Sequence, residues 1–243
     1  MYLPCPDCPI RRKPLFRQSS REELAFVSGA KTAQHDFEAR SPIVLAESSG
    51  GTAYTLLSGW AYRTKVLPSG ERQILDFLLP GDLMGLQSPL TGRVRHAIVA
   101  LTDVTVCELS PDAVRAVFEL QPDLSAALVQ TLLMDADRAD HRLLLLGRQR
   151  PTQRLAYLIL DLHERLARRE LARDGRCEFP LTYEHMADAL GLSRAQLARS
   201  LAELRDRGWA TIQGGVLLLA APEAMAALCA FEPAPLEPRR ALF

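Results

Sequence analysis

The chain has 243 residues, 48% hydrophobic and 24% charged, a balance that can bury a sizeable core and excludes a largely disordered protein. Twenty-nine Lys and Arg offset twenty-nine Asp and Glu, so any surface for a polyanion must be local rather than global. No apolar run reaches the roughly 18 residues that cross a bilayer. The opening residues lack the apolar core of a signal peptide, so a cytoplasmic protein is expected, and five cysteines, an odd number, argue against a disulfide scaffold.

In chain order, a basic arm (residues 1–23) carries Cys5 and Cys8, followed by Arg11, Arg12 and Lys13. Two cysteines two residues apart serve a metal, a redox pair or neither. From Phe37 to Leu109 short apolar stretches alternate with turn residues: Ala61 to Val66, then Pro68-Ser69-Gly70, then Gln73 to Leu78. This is the pattern of a β barrel or sandwich, and residues 24–121 are expected to form one domain. Ser110 before Pro111 and Asp112 starts a helix, and Pro122-Asp123 starts another. No Gly or Pro interrupts Leu124–Leu146, and Leu128, Leu132, Ala136, Ala139, Leu143 and Leu146 recur every three or four residues. A long helix over 122–147 follows, its stripe packed either on its own domain or on a partner helix. Asp135, Asp137 and Asp140 on that helix would weaken a symmetric pairing. Arg148 to Pro151 reads as a hinge, Thr152 to Leu171 as a helix and Arg173 to Arg176 as a loop.

Residues 181–219, LTYEHMADALGLSRAQLARSLAELRDRGWATIQGGVLLL, carry the chemistry. Thr182 caps one short helix, Gly191 ends it, and Ser193 caps the next, with Leu197, Leu201 and Leu204 inward and Arg194, Gln196, Arg199 and Ser200 outward. Two helices about a glycine turn form a helix-turn-helix, and the apolar stretches around Trp209 to Ile212 and Val216 to Leu219 add a two-stranded wing. Arg pairs bidentately with guanine and Gln suits adenine, while Thr182 and Ser193 at helix N-termini would touch phosphates. Double-stranded DNA is therefore the expected partner of residues 148–230. A helical hairpin that only packs is the bland alternative. The proline-rich tail, 231–243, is expected to be disordered. There is no Gly-rich phosphate loop, serine elbow or HExxH pair, and the histidines at 35, 96, 141, 163 and 185 are scattered, so an enzyme is not expected.

Several stretches resemble the CRP/FNR family of bacterial transcription regulators over roughly Leu24 to Leu228. They are Ser58-Gly59 through Pro68-Ser69-Gly70-Glu71, Leu79-Pro80-Gly81-Asp82-Leu83-Met84-Gly85, Val106-Cys107-Glu108-Leu109, Arg154-Leu155-Ala156 and the helix-turn-helix. The resemblance implies an α+β fold: an N-terminal cyclic-nucleotide-binding-like β-roll, a long dimerisation helix and a C-terminal winged helix-turn-helix. It also implies a homodimer on a two-fold symmetric site and RNA polymerase as a partner. The dimer face would then be Leu128, Leu132, Ala136, Ala139, Asp140 and Leu143. The DNA-binding residues would be Thr182, Ser193, Arg194, Gln196 and Arg199.

Three departures narrow the reading. Cyclic-AMP-binding members place a ribose-holding Glu where this chain has Leu86, and an Arg-Ser pair where it has Arg95-His96. An unmatched ribose hydroxyl costs about 1–3 kcal/mol, which argues against cyclic AMP. In the recognition helix, a Glu that accepts from cytosine is replaced by Ala195, so the half-site should differ from TTGAT or TGTGA. FNR-like members hold an iron–sulfur cluster through N-terminal cysteines and one in the β-roll; Cys5, Cys8 and Cys107 match, but no fourth thiol follows nearby. Asp7 and His35 are the substitutes on offer. Sensing of oxygen, nitric oxide or redox state is the leading reading, by a cluster or by a thiol switch between Cys5 and Cys8, whose thiolates the basic neighbours Arg11, Arg12 and Lys13 would stabilise. The rivals are a regulator without cofactor, its Cys107 a small core hydrophobe, and a cyclic-nucleotide-like module acting through protein contacts. A structural zinc lacks a second pair at finger spacing.

Overall fold

The computed structural model describes residues 3–13, 15–17, 19–49, 51–233 and 239–240, and the chain divides into two compact units: Met1–Asp135 with Pro238–Phe243, and Ala136–Glu237.

The first unit opens with 3₁₀ turns at Cys5–Asp7 and Pro9–Arg12, strand β1 (Phe16–Arg17) and helix α1 (Arg21–Ala30). Ser20 caps α1. Its Oγ accepts the Glu23 N–H at 3.0 Å while Glu23 Oε2 accepts the Ser20 N–H at 2.7 Å. This reciprocal box satisfies two of the helix's orphan donors.

The strands are β2 (Lys31–Phe37), β3 (Pro42–Val44), β4 (Ala53–Ser58), β5 (Ala61–Val66), β6 (Arg72–Leu78), β7 (Leu83–Met84), β8 (Ala97–Ala100) and β9 (Val104–Leu109), with helix α2 (Gln87–Thr91) between β7 and β8. They form two four-stranded sheets in the orders β2-β9-β4-β7 and β3-β8-β5-β6. Leu56 and Val106 from the first sheet meet Ala61, Leu78 and Ile98 from the second in one core. A second core lies outside the roll, where Val27, Ala53 and Leu109 pack against Val114 and Val117 of α3 (Pro111–Leu120) and against Leu124 and Leu128 of α4 (Pro122–Arg148). Gly81 has φ +94°, and a Cβ there would lie 2.2 Å from the Phe16 ring. Glycine is therefore required both by the left-handed turn and by the arm that rests on it.

In the second unit, α5 (Pro151–Ala167) follows the α4 terminus, and α6 (Tyr183–Leu190) and α7 (Arg194–Asp206) form the helical hairpin. Gly191 between them sits at φ +60°, and the N–H of Leu192 returns to the Ala187 carbonyl at 3.1 Å. The sheet has the order β10-β11-β13-β12, from β10 (Ala172–Arg173), β11 (Arg176–Glu178), β12 (Ala210–Gln213) and β13 (Val216–Leu219); α8 (Pro222–Cys229) closes the unit. Leu155, Ile159, Leu162, Phe179, Met186, Leu197, Leu204, Leu217 and Met225 are buried.

The expected wing is present with two additional strands. Asp174 and Gly175, both at positive φ, turn the supposed loop into a hairpin whose β11 pairs with β13. The tail expected to be disordered lies largely outside the described residues, although β14 (Arg239–Arg240) runs parallel to β1.

Candidate DNA-binding face and sensor thiols

The hairpin's N-termini are built by side chains. Thr182 Oγ1 accepts the His185 N–H at 3.2 Å and His185 Nδ1 accepts the Thr182 N–H at 3.3 Å. Ser193 Oγ accepts the Gln196 N–H at 3.2 Å and Gln196 Oε1 accepts the Ser193 N–H at 3.0 Å. Thr182 and Ser193 are exposed, at helix starts where a phosphate would meet a favourable dipole. Arg194 and Arg199 are exposed, and Arg194 lies 3.9 Å from Glu184 of α6. An exposed pair this long contributes little, so the arginine can exchange it for a base or phosphate.

One expectation changes here and another gains a constraint. Gln196 uses its amide oxygen in the cap of its own helix, so a bidentate contact with adenine would share that oxygen with the Ser193 N–H or displace the cap. Ser200 is buried rather than outward: Thr152 Oγ1 of α5 donates its proton to Glu203 Oε2 at 2.6 Å and accepts from the Ser200 hydroxyl at 3.3 Å. These bonds fasten the recognition helix to α5. At the far end of α7 the Arg207 guanidinium stacks 4.7 Å over the Trp209 ring, ahead of the wing.

Helix α4 carries an outer stripe. Val129, Leu132, Ala136, Ala139 and Leu143 are all exposed at alternating spacings of three and four, with Leu133 and Leu144 beside them and Asp140 within the same face. Leu128 does not belong to it. It is 0% exposed, packed with Val114, Val117 and Leu124 in the first unit's outer core, so its place in the apolar pattern reflects packing within the chain. In the second unit, the end of α4 is clamped to α5: the His141 and Tyr157 rings stack at 4.5 Å, and Arg142 and Arg165 flank Asp161 at 3.8 and 3.6 Å. Burial and the Asp161 charge push the Tyr157 hydroxyl well above its ordinary range.

The arm cysteines are packed rather than presented. Cys5 lies in the outer core with Val27, Ala53 and Leu109, whereas Cys8 lies in a separate cluster with Ile10, Leu15 and Phe16. Cys107, on β9, faces Gln34 of β2, whose Nε2 lies 3.6 Å from its Sγ. Gln34 also holds the arm, its Oε1 accepting the Leu3 N–H at 2.9 Å while Lys31 Nζ donates to the Leu3 carbonyl at 2.7 Å. Burial raises the Cys107 pKa, Lys31 and Gln34 partly offset it, and the neighbouring Cys8 raises it further. His35 lies on the other face of β2, hydrogen-bonded to Glu108 at 2.6 Å, and Asp7 is exposed, so neither offers a fourth ligand beside these thiols. Among the described residues no three Cys, His, Asp or Glu side chains are grouped to hold a metal. The residues as arranged do not fit an iron–sulfur cluster, which requires four converging ligands.

The segment from Leu86 to His96 is held by local contacts. Leu86 packs against the outer core, Gln87 Oε1 accepts the Arg95 N–H at 3.1 Å, and Ser88 Oγ accepts the Gly51 N–H at 2.8 Å. His96 is buried, and burial together with Arg63 and Lys65 lowers its pKa to about 4.

Residues 34–121 match the family described as "Cyclic nucleotide-binding domain", and residues 153–228 match "Crp-like helix-turn-helix domain". The nitrogen fixation regulation protein FixK of Bradyrhizobium diazoefficiens is 30% identical over 226 residues, covering 92% of this chain and 94% of its own. The transcriptional activator protein FnrL of Cereibacter sphaeroides is 27% identical, with coverage of 86% and 85%. The solved structure of FixK2 from Bradyrhizobium japonicum superposes with a TM-score of 0.75 over 84% of this chain and 99% of that one, at 24% identity. No helix among the described residues is long and apolar enough to cross a membrane. With both family models matched and a relative 30% identical over 92% of it, this chain belongs to the CRP/FNR family of transcription regulators.

Proposed function

We propose that the protein is a homodimeric regulator that binds a two-fold symmetric site on double-stranded DNA and acts with or against RNA polymerase there. The observation that carries this reading is the exposed N-terminal face of α7, where two arginines stand beside a capped helix start fastened to α5 by Thr152. The α4 stripe supports pairing, because a knobs-into-holes seam needs exposed apolar residues at this spacing. A mobility-shift titration on promoter fragments tests it. Log affinity should fall steeply with log salt, as counterions leave the phosphates, and footprints should show two protected halves about one DNA turn apart. Binding without salt dependence, or a single protected half, would contradict it.

The signal is assigned to thiol redox state. Cys8 and Cys107 are the proposed pair, in place of the Cys5–Cys8 pair expected from the sequence, since Cys8 is among the groups that raise the Cys107 pKa and Cys5 is packed in a different apolar cluster from Cys8. A peroxide accepts two electrons from the two thiols. An S–S bond forms, the O–O bond breaks, and the two thiol protons leave on water and the alcohol or second water. Alkylation and mass mapping after peroxide treatment should find Cys8 joined to Cys107, with DNA affinity altered and restored by a dithiol. A Cys5–Cys8 linkage, or unaltered affinity after full oxidation, would overturn the assignment.

A further inference from the structure

Resting on the DNA-binding reading, the inference concerns which bases this recognition helix selects. At about 100° per residue, Ala198, Ala202 and Ala195 fall in that order around α7 between Arg194 and Arg199. Arg194, Ala195, Ala198 and Arg199 are exposed and Ala202 is half-buried. The exposed side chains of the first two turns therefore carry only guanidinium donors and methyl groups. The nearby acceptors lie off this face or serve the fold: Gln196 Oε1 accepts the Ser193 N–H, Glu203 accepts from Thr152 and pairs with Arg207, and Glu184 stands on α6 rather than on the recognition helix. Asp206 lies at the far end of the helix and pairs with Arg205. Such a face can contact guanine O6 and N7 and the thymine methyl, and its exposed side chains carry no acceptor for the N4 amino group of cytosine.

We propose that Ala195 and Ala198 are specificity-determining residues that select thymine by its C5-methyl group, between the bases contacted by Arg194 and Arg199. Five residues of helix rise about 7.5 Å, close to two base steps of 3.4 Å, which places the methyl contact on the base or bases between the two arginine contacts. The alanines approach the groove floor without a side chain to order, so discrimination comes from excluding water between two methyl surfaces.

Selection of bound duplexes from a random pool, using the intact protein, should yield half-sites with thymine at one of these positions. In a selected duplex, replacing that thymine by deoxyuridine removes only the methyl and should weaken binding about 3–5-fold, as expected for burying one such group. Ala195→Glu should move the preference at that position to cytosine while the guanines persist. Equal affinity for thymine and uracil, or selection of cytosine by the unaltered protein, overturns the proposal while leaving DNA binding intact. A pool from which no site enriches overturns both. If Ala195→Glu fails to fold, the uracil comparison decides alone.

Discussion

Substituting Leu132 and Leu143 by Asp should separate the proposed dimer without unfolding the chain. Leu132 is 44% and Leu143 68% exposed, so together they leave slightly more than one leucine side chain's surface per protomer for a partner to cover. Burying one leucine is worth about 1.5–3 kcal/mol, hence roughly 3–6 kcal/mol across a symmetric interface, and the dimer Kd should rise by about 10²–10⁴. The added carboxylates, facing symmetry mates and Asp140, push in the same direction. Sedimentation over a concentration series reads the association, and thermal denaturation far below the dimer Kd checks the fold. A double variant that remains dimeric at nanomolar concentration would refute the α4 seam; one that is already unfolded as a monomer would show the leucines to be core residues, against their exposure.

Leu128→Ala should behave oppositely, costing about 2–5 kcal/mol of stability through a cavity in the outer core while dimerisation of the folded fraction is retained. Denaturant midpoints and sedimentation together check it. His96 makes stability fall in mild acid. Its folded pKa, lowered to about 4 from 6.5, keeps it neutral in the native state, so its contribution is complete above pH 6.5 and is lost as pH falls towards 4. With solvent screening of Arg63 and Lys65 the loss is on the order of 2 kcal/mol, and His96→Gln should flatten that part of the stability profile. Ser193→Ala should cost about 1 kcal/mol by removing the Oγ that accepts the Gln196 N–H, and its melting temperature should fall while the Gln196 side chain keeps the Ser193 N–H. Protein purified without oxygen should carry no stoichiometric iron and sulfide; a cluster at these thiols would show that the arm repacks to bind it.

The architecture was legible where local chemistry and pattern agree. Thr182, Gly191 and Ser193 announce the hairpin by capping alone, and the heptad spacing of Leu132, Ala136, Ala139 and Leu143 gives the outer stripe. The same spacing misplaces Leu128, because periodicity identifies a face but not which body covers it. Ser200 fails for a related reason: its burial depends on Thr152, some fifty residues away. Helix α1 and the β10–β11 hairpin had visible signals, the Ser20–Glu23 box and the Asp174-Gly175 turn. Cys5, Cys8 and Cys107 were legible as a family pattern, but spacing could not show that two apolar clusters take the arm thiols apart.

The most direct measurement compares affinity for a specific and a random duplex, at several salt concentrations, in the unaltered protein and in Arg199→Ala. Removal of a base-reading arginine should collapse the specific-to-random ratio by about 1–3 kcal/mol while the salt-dependent binding to random DNA largely persists. An unchanged ratio would contradict the placement of α7 in the major groove, and with it the central reading of this regulator.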